Sequence, residues 1–410
     1  MSTSITLTKG RASVLLVTTM ATLLVVSAGC AHVPKRNPLP QTLVADAQIP
    51  DVPRARSWGD EPLPLADEWD TKTKDELKKK YGALFGKPHN YLAISGGGAN
   101  GAFGAGLLVG WTAAGDRPEF SLVTGISTGA LIAPFAFLGS EYDDSLREQY
   151  TTTTTKDILK KRGGLNAITS DAASSSKPLQ ALIERVVTES VMQAIAEEHR
   201  KGRRLLIGTT NLDAGRPVIW SIGHIAVSGG PEALALIHQV LLASASIPAA
   251  FPPVLVEVEV EGQRYDELHV DGGTTSQVFL YPIGLDFAHV LNKLEVPGTP
   301  KVYIIRNSQL VPEWKTTKNK ILPIAGRSLG FLIRTQGIGD LYKIFLEAKR
   351  DGLDYNLAFI PDDFRAESKE GFDPEYMTKL FNVGYELAKS GYPWKKTPPE
   401  LSEFPDRASD

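Results

Sequence analysis

The sequence predicts an α/β fold, and three observations predict it. Short apolar runs alternate with stretches of helical spacing along most of the chain. The run Tyr91-Leu92-Ala93-Ile94 passes through Gly96-Gly97-Gly98-Ala99-Asn100-Gly101 into an apolar helix, Ala102 to Ala114, closed by Gly115. A second run, Phe120 to Thr124, leads straight into Gly125-Ile126-Ser127-Thr128-Gly129 and a further apolar helix, Ala130 to Leu138. Strand, tight turn and helix thus occur twice between Tyr91 and Leu138, as βα units require.

The second turn matches Gly-x-Ser-x-Gly. A serine between a strand and a helix sits on strained backbone, and its hydroxyl projects from the C-terminal end of the sheet. Gly125 and Gly129 leave room where helix and strand pack closely. The first turn presents backbone N–H groups at the start of a helix, which favours a developing negative charge.

Composition bounds the rest. The 410 residues carry 44 Lys and Arg against 47 Asp and Glu, a net charge of −3, which gives no reason to expect nucleic acid. Lys9 and Arg11 precede an apolar run, Val14 to Val26, that ends in Ser27-Ala28-Gly29-Cys30. A positive start, a short apolar stretch and small residues make a secretory signal over residues 1–29. Cys30 is the single cysteine, so no intramolecular disulfide can form. Its setting resembles a bacterial lipobox, which implies lipidation of Cys30, membrane attachment through that anchor and, with Ala31 next, an outer-membrane location in the cell envelope. Seven prolines between Pro34 and Pro64 predict an extended tether, and Asp67 to Lys80 a polar surface helix, together spanning 30–86.

The catalytic body is expected over 87–290, with a C-terminal α/β part, 291–410, packed on the same domain. Thr151 to Thr155 and Ser174 to Ser176 read as loops. Leu179 to Val187, Val191 to Arg200, Pro231 to Ala243, Leu332 to Lys349 and Glu375 to Lys389 read as helices. Arg204 to Thr210, Pro217 to Ile222, Lys301 to Arg306 and Asn356 to Ile360 read as strands. Val254 to Val260 and Arg264 to Val270 form a hairpin that delivers Asp271-Gly272-Gly273.

A serine hydroxyl needs a base to take its proton. None of the seven histidines lies in a catalytic motif; His289 alone fits the chain order of a Ser-Asp-His triad. Asp271, on a tight turn after a strand, is the alternative. A carboxylate is a weak base in water, but in a dry pocket it can accept the proton as an oxyanion forms.

The four motifs in order, Gly96 to Gly101, Gly125 to Gly129, Ala243-Ser244-Ala245-Ser246-Ile247-Pro248 and Asp271-Gly272-Gly273, resemble the patatin-like phospholipase family. The resemblance covers roughly Tyr91 to Gly273. It implies a three-layer α/β/α fold with a mostly parallel central sheet. It also implies a serine acyl hydrolase with Ser127 as nucleophile, Asp271 as base and Gly96, Gly97 and Gly98 as the oxyanion hole. The substrate would be a lipid or acyl ester; no cofactor and no metal is expected, and no protein partner is indicated. Two departures stand out. Asn100 occupies a position that is usually basic, and Thr274-Thr275-Ser276-Gln277 replace the usual asparagines and proline after Asp-Gly-Gly.

Two rival readings remain open on these residues. Gly96-x-Gly98-x-x-Gly101 also fits a dinucleotide fingerprint, although the second strand ends in the serine turn and not in an acidic residue. The departures at Asn100 and Thr274 leave room for a non-catalytic envelope lipoprotein that keeps the fold and binds lipid or a partner.

Overall fold

The computed structural model describes residues 36–62, 71–161, 172, 174–281, 285–312, 314 and 316–401. Residues 1–35, and with them the expected signal segment and Cys30, lie outside the described residues, as do 63–70, which include the start of the expected polar helix at Asp67.

Nine strands share one sheet: β1 (Arg56–Trp58), β2 (Asn90–Ile94), β3 (Leu122–Ile126), β4 (Arg204–Asn211), β5 (Arg216–Ser221), β6 (Val254–Val260), β7 (Gln263–Asp271), β8 (Lys301–Arg306) and β9 (Asp354–Phe359). The order is β1-β5-β4-β3-β2-β8-β9, and the hairpin β6–β7 joins through β7 to β4. The run β4-β3-β2-β8-β9 is parallel; β1, β5 and the hairpin are antiparallel.

Helices cover both faces: α1 (Lys74–Lys80), α2 (Gly101–Ala114), α3 (Thr128–Leu138), α4 (Asp143–Thr152), α5 (Lys177–Val186), α6 (Glu189–Arg200), α7 (Ile222–Ser228), α8 (Gly230–Ser244), α9 (Phe287–Lys293), α10 (Ile321–Arg350) and α11 (Pro374–Lys389). Strand side chains alternate between two cores, as a pleated strand dictates. Leu92, Ile94, Val123 and Ile305 face the core beneath α2, α3 and α8. Tyr91, Ala93, Leu122, Val302 and Ile304 face the core beneath α1, α9 and α10. This is the expected three-layer α/β/α fold.

Several expectations need correction. Residues 36–62 are not a free tether. Ala47, Ile49, Val52 and Ala55 are buried, Gln48 bridges to Glu259, and β1 adds to the sheet on β5. Apolar residues between the prolines fund this docking, and a buried ion pair from Arg56 to Glu267 fixes it. Thr151 and Thr152 finish helix α4, with their hydroxyls bonded back to the carbonyls of Arg147 and Glu148, so this threonine run is only partly loop. Helix α10 begins at Ile321, well before the expected Leu332. Pro323 lies in the first turn, where proline removes no helical hydrogen bond, and Gly326 and Gly330 weaken the helix without ending it. In α1, Glu76 completes a capping box with Thr73.

Helix α2 owes its place to glycine. A Cβ at Gly106 would collide with the carbonyl of Phe381, and one at Gly110 with that of Tyr385, both on α11. The two helices therefore approach backbone to backbone. Gly106→Ala should cost about 1–3 kcal/mol by overpacking. Gly339→Ala, in α10 with nothing near its Cβ position, should instead gain about 0.5–1 kcal/mol. Urea midpoints of the two variants check both signs.

Candidate active site

One strand brings the chemistry together. Along a single edge of β4, β3 runs parallel as far as Ile126 opposite Gly208. The next position on that edge, Thr209, pairs with Asp271 at the end of the antiparallel β7. The residue after Ile126 is Ser127. Two segments over a hundred residues apart in sequence thus end on adjacent rungs, pointing at each other.

The local backbone then aims the side chains. Ser127 has φ 56° and ψ −125°, the strained turn its motif predicted. Gly125 and Gly129 permit it: a Cβ at Gly125 would enter the carbonyl of Gly129, and one at Gly129 the carbonyl of Ile94. Asp271 accepts a hydrogen bond from the Gly273 N–H at 2.7 Å, and the Ser127 hydroxyl lies close enough to favour its charged form. Both side chains are buried, Ser127 at 7% and Asp271 at 4% exposure. Burial pushes the Asp271 pKa up to about 6, while the Ser127 hydroxyl and the Gly273 N–H pull it back down.

Helix α8 locks these two ends. Ser244 Oγ donates to the Gly208 carbonyl at 2.7 Å and accepts from the Ser127 N–H at 3.1 Å. The Ser246 carbonyl accepts from the Asp271 N–H at 3.0 Å. The Ser-Ala-Ser stretch is therefore a brace between nucleophile turn and aspartate turn, a role its sequence alone did not reveal.

The glycine turn lies opposite. The Gly96 N–H, expected as an oxyanion donor, is spent on the Gln277 carbonyl at 3.1 Å. The Gly97 and Gly98 N–H groups have no hydrogen-bond acceptor among the described residues. Gly98 has φ 56° and open space where a Cβ would stand. Asn307, fully buried after β8, holds the turn: its N–H donates to Ser95 Oγ, its Nδ2 to the Ser95 carbonyl, and its Oδ1 accepts from the Gly104 N–H. Gln277, one of the departures after Asp-Gly-Gly, bonds through Nε2 to the Gly273 carbonyl at 2.6 Å, so it ties the aspartate turn to the glycine turn. Asn100, the other departure, accepts from the Tyr376 hydroxyl at 2.7 Å.

Ser127 opens into a cavity of about 460 Å³. Gly97 and Gly98 form its rim, and Leu131, Leu179, Phe251 and Phe372 give it apolar walls. His289 is not among the residues that line it; it lies on α9. His269, two residues before Asp271, is fully buried and bonded to Thr209 and Glu267, so it holds strand register and does not meet Ser127.

Residues 92–282 match the family model described as patatin-like phospholipase. Those residues form a patatin-like phospholipase domain. The match supports a lipid hydrolase at the level of the family. Among solved structures, the crystal structure of VipD from Legionella pneumophila is similar at TM-score 0.34 and 13% identity, over 74% of this chain and 66% of that one, just under two thirds of its length. None of the curated proteins matches the chain. The patatin-like match stops at residue 282, yet Asn307, Phe372 and Tyr376 of the site lie beyond it.

The raised Asp271 pKa makes a stability statement. A carboxyl with a higher pKa folded than unfolded favours the fold fully below about pH 4, and that contribution is lost as pH rises through about 6. Asp271→Asn stays neutral and escapes the loss. It should be more stable than wild type at pH 8 by on the order of 2–3 kcal/mol, with the gain gone at pH 4. Denaturant melts at the two pH values measure the difference.

Proposed function

We propose that this chain is a serine acyl hydrolase acting on membrane lipid or a related acyl ester, with Ser127 as nucleophile and Asp271 as base. The observation that carries the reading is the strained Ser127, set on the rung next to the buried Asp271 carboxylate and opening into a cavity with apolar walls. In the first half-reaction Ser127 Oγ bonds to the ester carbonyl carbon while its proton passes to Asp271. The carbonyl oxygen becomes an oxyanion held by the Gly97 and Gly98 N–H groups, each donor worth ~3 kcal/mol. The C–O bond of the ester then breaks, and the departing alkoxide takes the proton from Asp271. In the second half, water attacks the acyl-enzyme, gives its proton to Asp271, and Ser127 leaves with that proton as the acid is released. The Leu131, Leu179 and Phe251 walls would hold the acyl chain away from water.

A fluorophosphonate probe should label wild type at Ser127 and leave Ser127→Ala untouched, and that variant should lose lipid-ester hydrolysis by at least about 10³-fold. An unlabelled wild type that hydrolyses nothing would favour the non-catalytic, lipid-binding alternative. Because Asp271 must be ionised to accept the proton, kcat/KM should rise with pH through about 6 and level off above it.

The envelope location is part of the same proposal. Cys30 is the residue on which a lipid would be carried, anchoring the body to a membrane where its substrate lies. Cys30→Ala should shift the protein from the membrane to the soluble fraction, and mass spectrometry of the mature N-terminus should lose the acyl mass.

A further inference from the structure

Behind the glycine turn lies a second cavity, of about 340 Å³. Gly97 and Asn100 are a wall common to both cavities. The first is apolar; the second is walled by Arg306, Arg327 and Arg334, and no carboxylate among the described residues lines it.

Arg306 ends β8 and is only 3% exposed. Its Nε is buried without a partner. One terminal nitrogen reaches the Arg334 carbonyl at 3.4 Å, which is long for a hydrogen bond. Arg334 also has a buried Nε without a partner, while its Nη2 donates to the Leu310 carbonyl. Gly337 makes the space for this arrangement, since a Cβ there would stand 2.7 Å from Arg306 Nη1. Burial first, and then the charge of Arg334, lower the Arg306 pKa to about 10 against the opposing effect of Asp340. Asp340 is itself committed, accepting from the Gln277 and Val278 N–H groups. A buried guanidinium without an ion pair costs several kcal/mol, and Arg306 with the half-buried Arg334 beside it at one opening is an arrangement an anion would relieve.

The outer wall says which anion. Gly326, Arg327, Gly330 and Phe331 of α10 line the cavity, and the same half of the helix exposes Ile321, Leu329, Phe331 and Leu332. Residues 316–339 contain Lys318, Lys320, Arg327 and Arg334 and no Asp or Glu. An apolar, basic surface complements an anionic lipid layer more than bulk solution.

We propose that Arg306 and Arg334 form a phosphate-binding subsite, and that it takes the phosphodiester of a glycerophospholipid whose ester lies across the glycine turn, beside Ser127. The phosphate site stands on its own geometry. Its assignment to a substrate head group rests on the hydrolase reading above.

The test uses the full chain, with Arg334→Gln as the main variant and Arg306→Gln as the second, in case the more deeply buried substitution fails to fold. In the first arm, inorganic phosphate should raise the wild-type melting temperature above that in chloride at equal ionic strength, and either folded variant should abolish the rise. In the second arm, phosphatidylcholine and diacylglycerol of the same acyl chains are hydrolysed in the same detergent micelles. The phospholipid-to-diacylglycerol ratio of kcat/KM should fall about ten-fold or more in the variants, as expected for the loss of a charged hydrogen bond. No phosphate-dependent rise, or one that survives both substitutions, overturns the site. A rise lost in the variants with an unchanged substrate ratio assigns the site to free phosphate and overturns the head-group half. A wild type that hydrolyses neither lipid sinks the hydrolase reading instead, and the phosphate arm alone then decides the subsite.

Discussion

The structure depends on the register of one strand. β4 carries β3 up to Gly208 and receives β7 from the other direction at Thr209. A slip of one residue on either side would turn every side chain to the opposite face and separate Ser127 from Asp271. Hence the density of fastening around this point. Ser244 holds the Gly208 carbonyl and the Ser127 N–H at once, Trp220 Nε1 donates to Thr209 Oγ1, and His269 bonds the same hydroxyl from its other side. A polar network this deeply buried specifies one pairing because any other leaves its members unsatisfied.

The parallel middle of the fold was legible because its strands are buried on both faces. Such strands read as continuous apolar runs, and 91–94, 205–207 and 302–305 do so. The two glycine turns were legible because their constraints are local: each small residue answers to a neighbour a few positions away. Residues 36–62 were misread because prolines dominate the pattern, while the four small apolar side chains that dock them carry no periodicity. The start of α10 was hidden for the opposite reason. Its first half is exposed and apolar, so the helical spacing that burial imposes is missing.

The supports of the site were legible only in part. Asn307, Gln277 and Tyr376 are single polar residues with no motif around them, and their work is set by distance in space. The spent N–H of Gly96 shows the same limit in reverse. Three consecutive glycines present three donors on paper, and only the fold decides that one is paired with a loop 181 residues downstream, at Gln277. His269 adds a warning about chemistry read from proximity along the chain. It is the histidine nearest the aspartate in sequence, and its two nitrogens are both committed to holding strands.

The position of Asn307 also bears on where this protein can be cut. It sits 25 residues past the end of the matched family segment, yet it supplies the partners of Ser95 and Gly104, and the strand that precedes it covers the flank of β2. A fragment trimmed at residue 282 would expose that flank as an open edge, ready to pair with another molecule, and would leave the glycine turn without its clamp. The segment that similarity recognises and the segment that folds as one cooperative piece are therefore different lengths of chain.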